Sequence, residues 1–120
     1  MASPVRISID TPDETRQFAQ GRGCIELVQT PDGPLGRATF EPGWRWSVHA
    51  AARAGTATCQ AAHTGYFVSG RLRVAMDGGE TVDYGPGDFA QIAPGHDAWV
   101  LGDEPCVLID WEGCRGHARA

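Results

Sequence analysis

Glycine and proline divide this chain into short segments, and that spacing constrains its fold more than any other feature. The 120 residues include 16 glycines and 8 prolines, and the segments between them are rich in apolar and β-branched side chains. Short runs of this composition, bounded by turn residues, are typical of β-strands. The pattern predicts about ten strands and an all-β sandwich or barrel, with little room for an α/β architecture.

Turn signals and alternating apolar residues set the predicted strand boundaries. Asp77-Gly78-Gly79 predicts a hairpin, because glycine supplies the positive φ that tight turns need. Pro86-Gly87 suits the two central positions of a type II turn. The predicted strands cover residues 5–9, 24–30, 37–41, 44–50, 56–61, 66–69, 72–76, 80–84, 89–92, 98–101 and 106–111.

Residues 10–20 carry the signals of a short helix. Thr11 suits the N-cap, Pro12 suits the first helical position, and two acidic residues follow in the first turn. Gly21 ends the segment. We therefore expect a short N-terminal helix that covers an edge of the barrel.

Composition narrows the class of protein. A chain of 120 residues suits a single domain, here 1–120 with a frayed tail at 115–120. A net charge of -5 argues against nucleic acid as a partner, and no apolar run is long enough for a membrane span. The N-terminus lacks the apolar region of a secretory signal, so we expect a cytoplasmic protein. Its cysteines form no CxxC pair and are expected to be reduced, with Cys24 and Cys106 filling the core.

Three histidines, His49, His63 and His96, lie in or beside separate predicted strands. Together they could form a three-imidazole site with open positions for water or substrate, suited to zinc, iron, nickel or copper. Cys59 lies four residues before His63 and would share its strand face. Cys59 is therefore either a further metal ligand or a buried free thiol.

Residues 36–111 resemble the cupin superfamily. Its first motif runs glycine, five residues, His-x-His, three or four residues, glutamate, six residues, glycine. Gly43 and His49 match its start, whereas Ala51 replaces the second histidine. Counting back six residues from Gly70 places His63 where the family has glutamate.

The second cupin motif runs glycine, five residues, Pro-x-Gly, two residues, histidine, three residues, asparagine. Gly87 opens it here, and Pro94-Gly95 follows with the proline displaced by one position. His96 lies two residues before Ala98, the family's histidine position, and so on the same strand face. The sequence is most similar to small single-domain bacterial cupins with a GHDAWV-type second motif. This resemblance implies a jelly roll, also called a double-stranded β-helix, and a divalent transition metal.

Aromatic residues near these motifs are candidates for a ligand pocket. Tyr66 is a candidate catalytic proton donor, or a wall tyrosine with a satisfied hydroxyl. Trp46 is expected to line the mouth of the pocket with Trp44, and Trp99 to close it. The alternative is that these aromatic residues form the core.

The sequence thus predicts a metal-dependent cupin enzyme that acts on a small polar organic molecule by isomerase, lyase or oxygenase chemistry. The alternative is a sensor or binding module that holds a small ligand or a metal without turnover. A metal with an open position for water would favour the enzyme. We also expect a homodimer, in which the strand at residues 5–9 pairs across a two-fold axis.

Overall fold

Two antiparallel sheets enclose the core of the protein in a computed structural model that describes residues 3–113. The larger sheet has six strands in the order β1-β2-β3-β9-β4-β7, and the smaller has three in the order β6-β5-β8. The strands are β1 Glu14–Gln17, β2 Gly23–Thr30, β3 Gly33–Phe40, β4 His63–Ser69, β5 Arg71–Met76, β6 Thr81–Tyr84, β7 Phe89–Ile92, β8 His96–Leu101 and β9 Cys106–Asp110. The all-β jelly roll expected from the sequence is confirmed.

Alternating side chains along the strands build one core between the sheets. In β8, His96, Ala98 and Val100 are buried, while the residues between them are less so. Strand β9 follows the same alternation, with Cys106, Leu108 and Asp110 inward. The core cluster takes members from both sheets, so the barrel interior is continuous between them.

The turns that join these strands follow the sequence signals. Gly87 has φ 90°, and the Asp88 N–H donates to the Gly85 carbonyl at 3.1 Å, as a type II turn requires. The carboxylate of Asp88 accepts the Gly85 N–H at 2.8 Å and closes the same turn. The turn that precedes β7 was therefore predicted correctly.

The predicted N-terminal helix is wrong. Residues 14–17 form β1, which pairs with β2, and only a short 3₁₀ turn follows at Ala19–Gly21. The pairing satisfies backbone groups at the edge of β2, and it leads Phe18 onto the core rings of Phe40 and Trp44. This tertiary packing outweighs the local capping signals. The strand expected at residues 5–9 is also absent.

The predicted strand at residues 44–50 is replaced by two helical turns, α1 Trp46–His49 and α2 Ala51–Ala54. Asp97 on β8 accepts hydrogen bonds from the Ser47 N–H at 3.0 Å and the Ser47 hydroxyl at 2.8 Å. The Asp97 carboxylate, which is distant in sequence, thus caps the first turn of α1. The alternation of residues 44–50 could not indicate this contact, because it records only neighbouring residues. Residues 56–61 are likewise a loop, with one β-bridge between Cys59 and His96.

Other expectations concern the membrane and the C-terminal tail. No helix within residues 3–113 is both long and apolar enough to cross a membrane. The tail at 115–120 lies outside the described residues.

Candidate metal centre

Cys59, His63 and His96 come together at one place in the barrel. One ligand atom from each lies within 4.8 Å of the other two. His63 opens β4 and His96 opens β8, while Cys59 lies in the loop before β4. Two backbone hydrogen bonds of 2.7 Å hold that loop, from the Cys59 N–H to the His96 carbonyl and from the Gly95 N–H to the Cys59 carbonyl. The fold thus fixes the thiol against the start of β8.

Both imidazoles are oriented through Nδ1. The Nδ1 atom of His63 lies 2.7 Å from a carboxylate oxygen of Asp110, and that of His96 lies 2.8 Å from the Ala93 carbonyl. In each pair Nδ1–H donates, so Nε2 is the ring nitrogen that remains for Cys59 or a metal. The Nε2 atom of His63 lies 3.4 Å from the Cys59 sulfur.

Asp110 belongs to this site, although the sequence analysis did not single it out. Its other carboxylate oxygen accepts the backbone N–H groups of Glu112 at 3.0 Å and Gly113 at 2.7 Å. A Cβ at Gly113 would collide with His63 Nδ1 and with the Asp110 carboxylate, so the turn needs glycine there. The sequence did contain a signal for Asp110. If Cys106 and Leu108 face inward, the two-residue period of the strand places Asp110 in the core as well, and buried charges are normally partnered.

The pKa values of this cluster are coupled. Burial tends to raise the pKa of the Cys59 thiol, but hydrogen bonds with His63 and His96 lower it to about 6. Burial tends to lower the pKa of His63, but hydrogen bonds with Asp110 and Cys59 raise it to about 10. Without a metal, the cluster therefore favours a Cys59 thiolate beside a protonated His63. The thiolate is the form of cysteine that binds metals, and His63 would release its Nε2 proton on binding one.

His49 is not brought into this group among the described residues. It ends α1, and its Nδ1 accepts the Arg45 N–H at 2.9 Å within the same helical turn. The helix that replaced the predicted strand explains this position, because it turns the imidazole back on its own backbone.

Of the three aromatic residues predicted to serve the pocket, one lines the cavity and two face outward. Trp46 lines the cavity beside the cluster. Trp99 instead faces the outside of β8, where the Arg45 guanidinium lies 4.4 Å from its ring centroid. Tyr66 lies on the outer face of β4 with 45% of its surface exposed. The strand alternation that buries Gly65 and Phe67 directs Tyr66 away from the cavity, contrary to expectation.

The cavity beside the cluster has about 80 Å³ of space. Four of its lining side chains are Cys59, His63, His96 and Asp110, and the others are apolar or glycine. The apolar wall comes from both sheets and from α1 and its flanks. Among the lining residues that the structure describes, the titratable side chains are therefore the cluster and Asp110 beside it.

A model of the cupin domain matches residues 37–112. The chain belongs to the cupin family. This match covers both segments in which the cupin motifs were identified, and the observed jelly roll agrees with it. No match to a curated protein was found.

Solved structures of low identity share this cupin fold. A protein of unknown function (DUF1255) from Acidithiobacillus ferrooxidans has 18% identity and a TM-score of 0.62, covering 84% of this chain and 88% of that chain. A second DUF1255 protein, from Acinetobacter sp. ADP1, has 14% identity and a TM-score of 0.60, covering 83% and 90%. A variant of oxalate decarboxylase from Bacillus subtilis has 17% identity and a TM-score of 0.60, covering 94% of this chain and 30% of that chain. At these identities the likeness concerns the fold alone.

Proposed function

We propose that this cupin binds one divalent transition metal through Cys59 Sγ, His63 Nε2 and His96 Nε2, and that it acts on a small organic molecule. The orientation of the two imidazoles carries the proposal. Each Nδ1 is engaged by an oxygen acceptor, which leaves Nε2 for a metal. Ligating histidines in proteins are commonly oriented in this way by a carboxylate or a backbone carbonyl.

The donor set favours zinc or iron. One thiolate and two imidazoles are soft to intermediate ligands, and three protein ligands leave a coordination position for water or substrate. A metal held there would supply Lewis-acid chemistry toward a carbonyl or carboxylate. Asp110 would keep Nδ1 of His63 protonated, and the apolar wall would exclude bulk water.

A metal-free nucleophile is the competing assignment. Cys59, His63 and Asp110 follow one another at 3.4 Å and 2.7 Å, in the order of a cysteine-histidine-aspartate triad. A triad needs one imidazole at the thiol, whereas two imidazoles converge on Cys59 here. The converging second imidazole therefore favours the metal site over the triad.

Metal analysis of the purified protein tests the proposal. We expect close to one equivalent of zinc or iron per chain, or binding of one equivalent of added zinc by the metal-free protein. His49→Ala is the matched control and should keep the metal. Less than about a tenth of an equivalent after reconstitution would reject the metal site and favour the triad or a metal-free binding module.

An open coordination position supports an enzyme over a closed binding module. Cobalt substitution distinguishes them, since a site with an open position changes its visible spectrum when azide is added. A spectrum that azide leaves unchanged would favour the closed site of a non-catalytic binding or sensor cupin.

We also propose a homodimer, with an interface other than the one predicted from the sequence. Because residues 5–9 form no strand, we propose instead the outer face of β4 and β7, where Tyr66, Val68 and Phe89 are 45%, 49% and 58% exposed. Light scattering tests it: Phe89→Asp should convert a dimer to a monomer, and a wild-type monomer at high micromolar concentration would contradict it. The cytoplasmic location and the absence of nucleic-acid binding stay predictions.

A further inference from the structure

His49 presents a hydrogen-bond donor that is nearly buried but still accessible. The residue is 9% exposed, and its Nδ1 accepts the Arg45 N–H at 2.9 Å, so Nε2 carries the proton of the neutral ring. Within residues 3–113 this Nε2 has no hydrogen-bond partner. In the same part of the chain, the side-chain atom that is fully buried without a partner is Trp44 Nε1. The Nε2–H of His49 therefore keeps contact with the space outside the protein.

His49 borders a groove that adjoins the cavity of the candidate metal centre. The groove has a volume of about 890 Å³, which is within the range of ligand pockets. The groove and the cavity share the lining residues Phe18, Ile25, Trp46, Ala50 and Cys59. A ligand that extends from the groove into the cavity can therefore contact His49 at one end and approach the candidate metal ligands at the other.

The charged side chains of the groove favour an anion. Its described lining contains Arg16 and Arg53 against one acid, Glu112, although the whole chain has a net charge of -5. Arg16 pairs with Glu14, and the Glu112 carboxylate accepts the Thr64 hydroxyl at 2.8 Å. Arg53 is exposed and forms no ion pair within residues 3–113. Its guanidinium is therefore available to a ligand in the groove.

We propose that the groove and the cavity together bind a small organic carboxylate, with its carboxylate at the His49 Nε2–H and the Arg53 guanidinium and its apolar body in the cavity. A carboxylate accepts hydrogen bonds from both groups, and its charge strengthens them. This inference deepens the proposed function by naming its ligand class. It rests on that function only for the chemistry at the metal.

The cavity wall sets the orientation and the size of such a ligand. None of its described lining residues is lysine or arginine, and Asp110 would repel a second carboxylate there. The apolar side chains of both sheets instead suit the hydrocarbon part of the ligand. A dry apolar cavity of roughly 150 Å³ accommodates benzene, so the space of about 80 Å³ suits about three or four carbon atoms.

Two probes of nearly equal shape test the proposal. 3-Methylbutanoate carries a carboxylate, and 3-methylbutanamide has an uncharged amide in its place. In titrations of zinc-free protein, 3-methylbutanoate should bind at least about 10-fold more tightly than the amide. It should also shift the imidazole resonances of His49 in ¹H–¹⁵N spectra of the histidine rings. These resonances are assigned by their loss in His49→Asn.

Variants at the two proposed contacts locate the carboxylate. His49→Asn keeps a side-chain acceptor near the Arg45 N–H but removes the donor, and it should weaken 3-methylbutanoate binding about tenfold. Arg53→Gln removes an exposed charge and should weaken it about threefold. The affinity for the amide should change less in both variants. Arg71→Gln is the matched control, because Arg71 is an exposed arginine on β5 outside the groove.

Equal affinity for the two probes, or a preference for 3-methylbutanoate that survives both variants, would overturn the proposal. If His49→Asn does not fold, Arg53→Gln and the His49 shifts of the wild type still decide. Zinc affinity is measured separately by equilibrium dialysis, and His49→Asn should keep it. If zinc does not bind while the preference for 3-methylbutanoate persists, only the proposed metal site fails. If zinc binds without that preference, only this inference fails.

Discussion

Cys59 and Cys106 are both buried thiols of this cupin, yet their surroundings give them opposite chemistry. They are 4% and 0% exposed. Burial in the apolar start of β9 raises the pKa of Cys106 to about 12. At Cys59 the same burial is outweighed by hydrogen bonds with His63 and His96, and the pKa is lowered to about 6. Burial alone therefore does not distinguish a core thiol from a ligand; the polar neighbours decide.

The two sites also differ in how the barrel supplies those neighbours. Cys106 pairs with Phe40 of β3 and packs within one strand's apolar alternation. Cys59 lies in a loop and receives its imidazole partners from the first residues of β4 and β8, and the last residue of β9 orients one of them. The candidate metal site thus gathers polar residues from three strand ends, whereas Cys106, which also begins a strand, has burial as the cause of its raised pKa.

Removing an imidazole is the strongest test of this comparison. His63→Ala and His96→Ala should each lower zinc affinity at least about 100-fold, because a lost ligand costs more than the roughly 10- to 100-fold cost of an outer partner. Zinc affinity is measured by competition with a chromophoric chelator, and circular dichroism checks the β-fold. His49→Ala should bind zinc normally. Full zinc affinity in both alanine variants would make these histidines structural.

Exchanging sulfur for oxygen at each cysteine should produce opposite defects. Cys106→Ser places a hydroxyl among apolar side chains and should reduce the free energy of unfolding by about 1–3 kcal/mol while zinc affinity is unchanged. Cys59→Ser should lower zinc affinity with a smaller loss of stability. Urea unfolding of metal-free protein and zinc titration provide the two readouts. If both variants lose only stability, Cys59 is a core thiol like Cys106.

Asp110→Asn tests the support behind His63. Asparagine keeps the shape but accepts the Nδ1–H more weakly, so zinc affinity should fall about 10-fold while the variant remains folded. The same competition assay measures it, with Asp88→Asn as an acidic control outside the cavity. Unchanged zinc affinity would show that the carboxylate does not contribute to the metal site.

The smallest expected effect lies on the outside of β8, next to His96. Burial tends to raise the pKa of Asp97, but hydrogen bonds with Ser47 and Arg45 lower it overall. A depressed pKa adds stability above the ordinary aspartate value of about 4 and loses it as pH falls through the folded value. Asp97→Asn should therefore lower the free energy of unfolding at pH 7 by about 1 kcal/mol.

Thermal unfolding at pH 7 and pH 3 checks this prediction. The difference between wild type and Asp97→Asn should narrow at pH 3, where the carboxylate is increasingly protonated. Asp83→Asn is the control, because its ion pair with Arg73 is exposed and should leave the midpoint unchanged. If wild type and Asp97→Asn differ equally in unfolding midpoint at both pH values, the charge of Asp97 does not stabilise α1.

Much of the fold was predictable because its signals are local. The turns at Asp77-Gly78-Gly79 and Pro86-Gly87 depend on a few adjacent residues, and the alternation in β8 and β9 follows from the two-residue period of a strand. The same period indicated that His96 shares the strand face of Ala98, and both are buried. The choice of His63, His96 and Cys59 as candidates likewise needed only their positions near predicted strands and the cupin motifs.

The sequence by itself determined the all-β class, most strand boundaries and the family, because turn chemistry and side-chain alternation act over a few residues. Only the tertiary structure decided that residues 14–17 pair as a strand, that residues 46–49 turn into a helix under Asp97, and that His49 leaves the cluster. It alone joined Asp110 to His63 across 47 positions. These outcomes depend on hydrogen bonds between residues distant in the chain, whose strength no local pattern records.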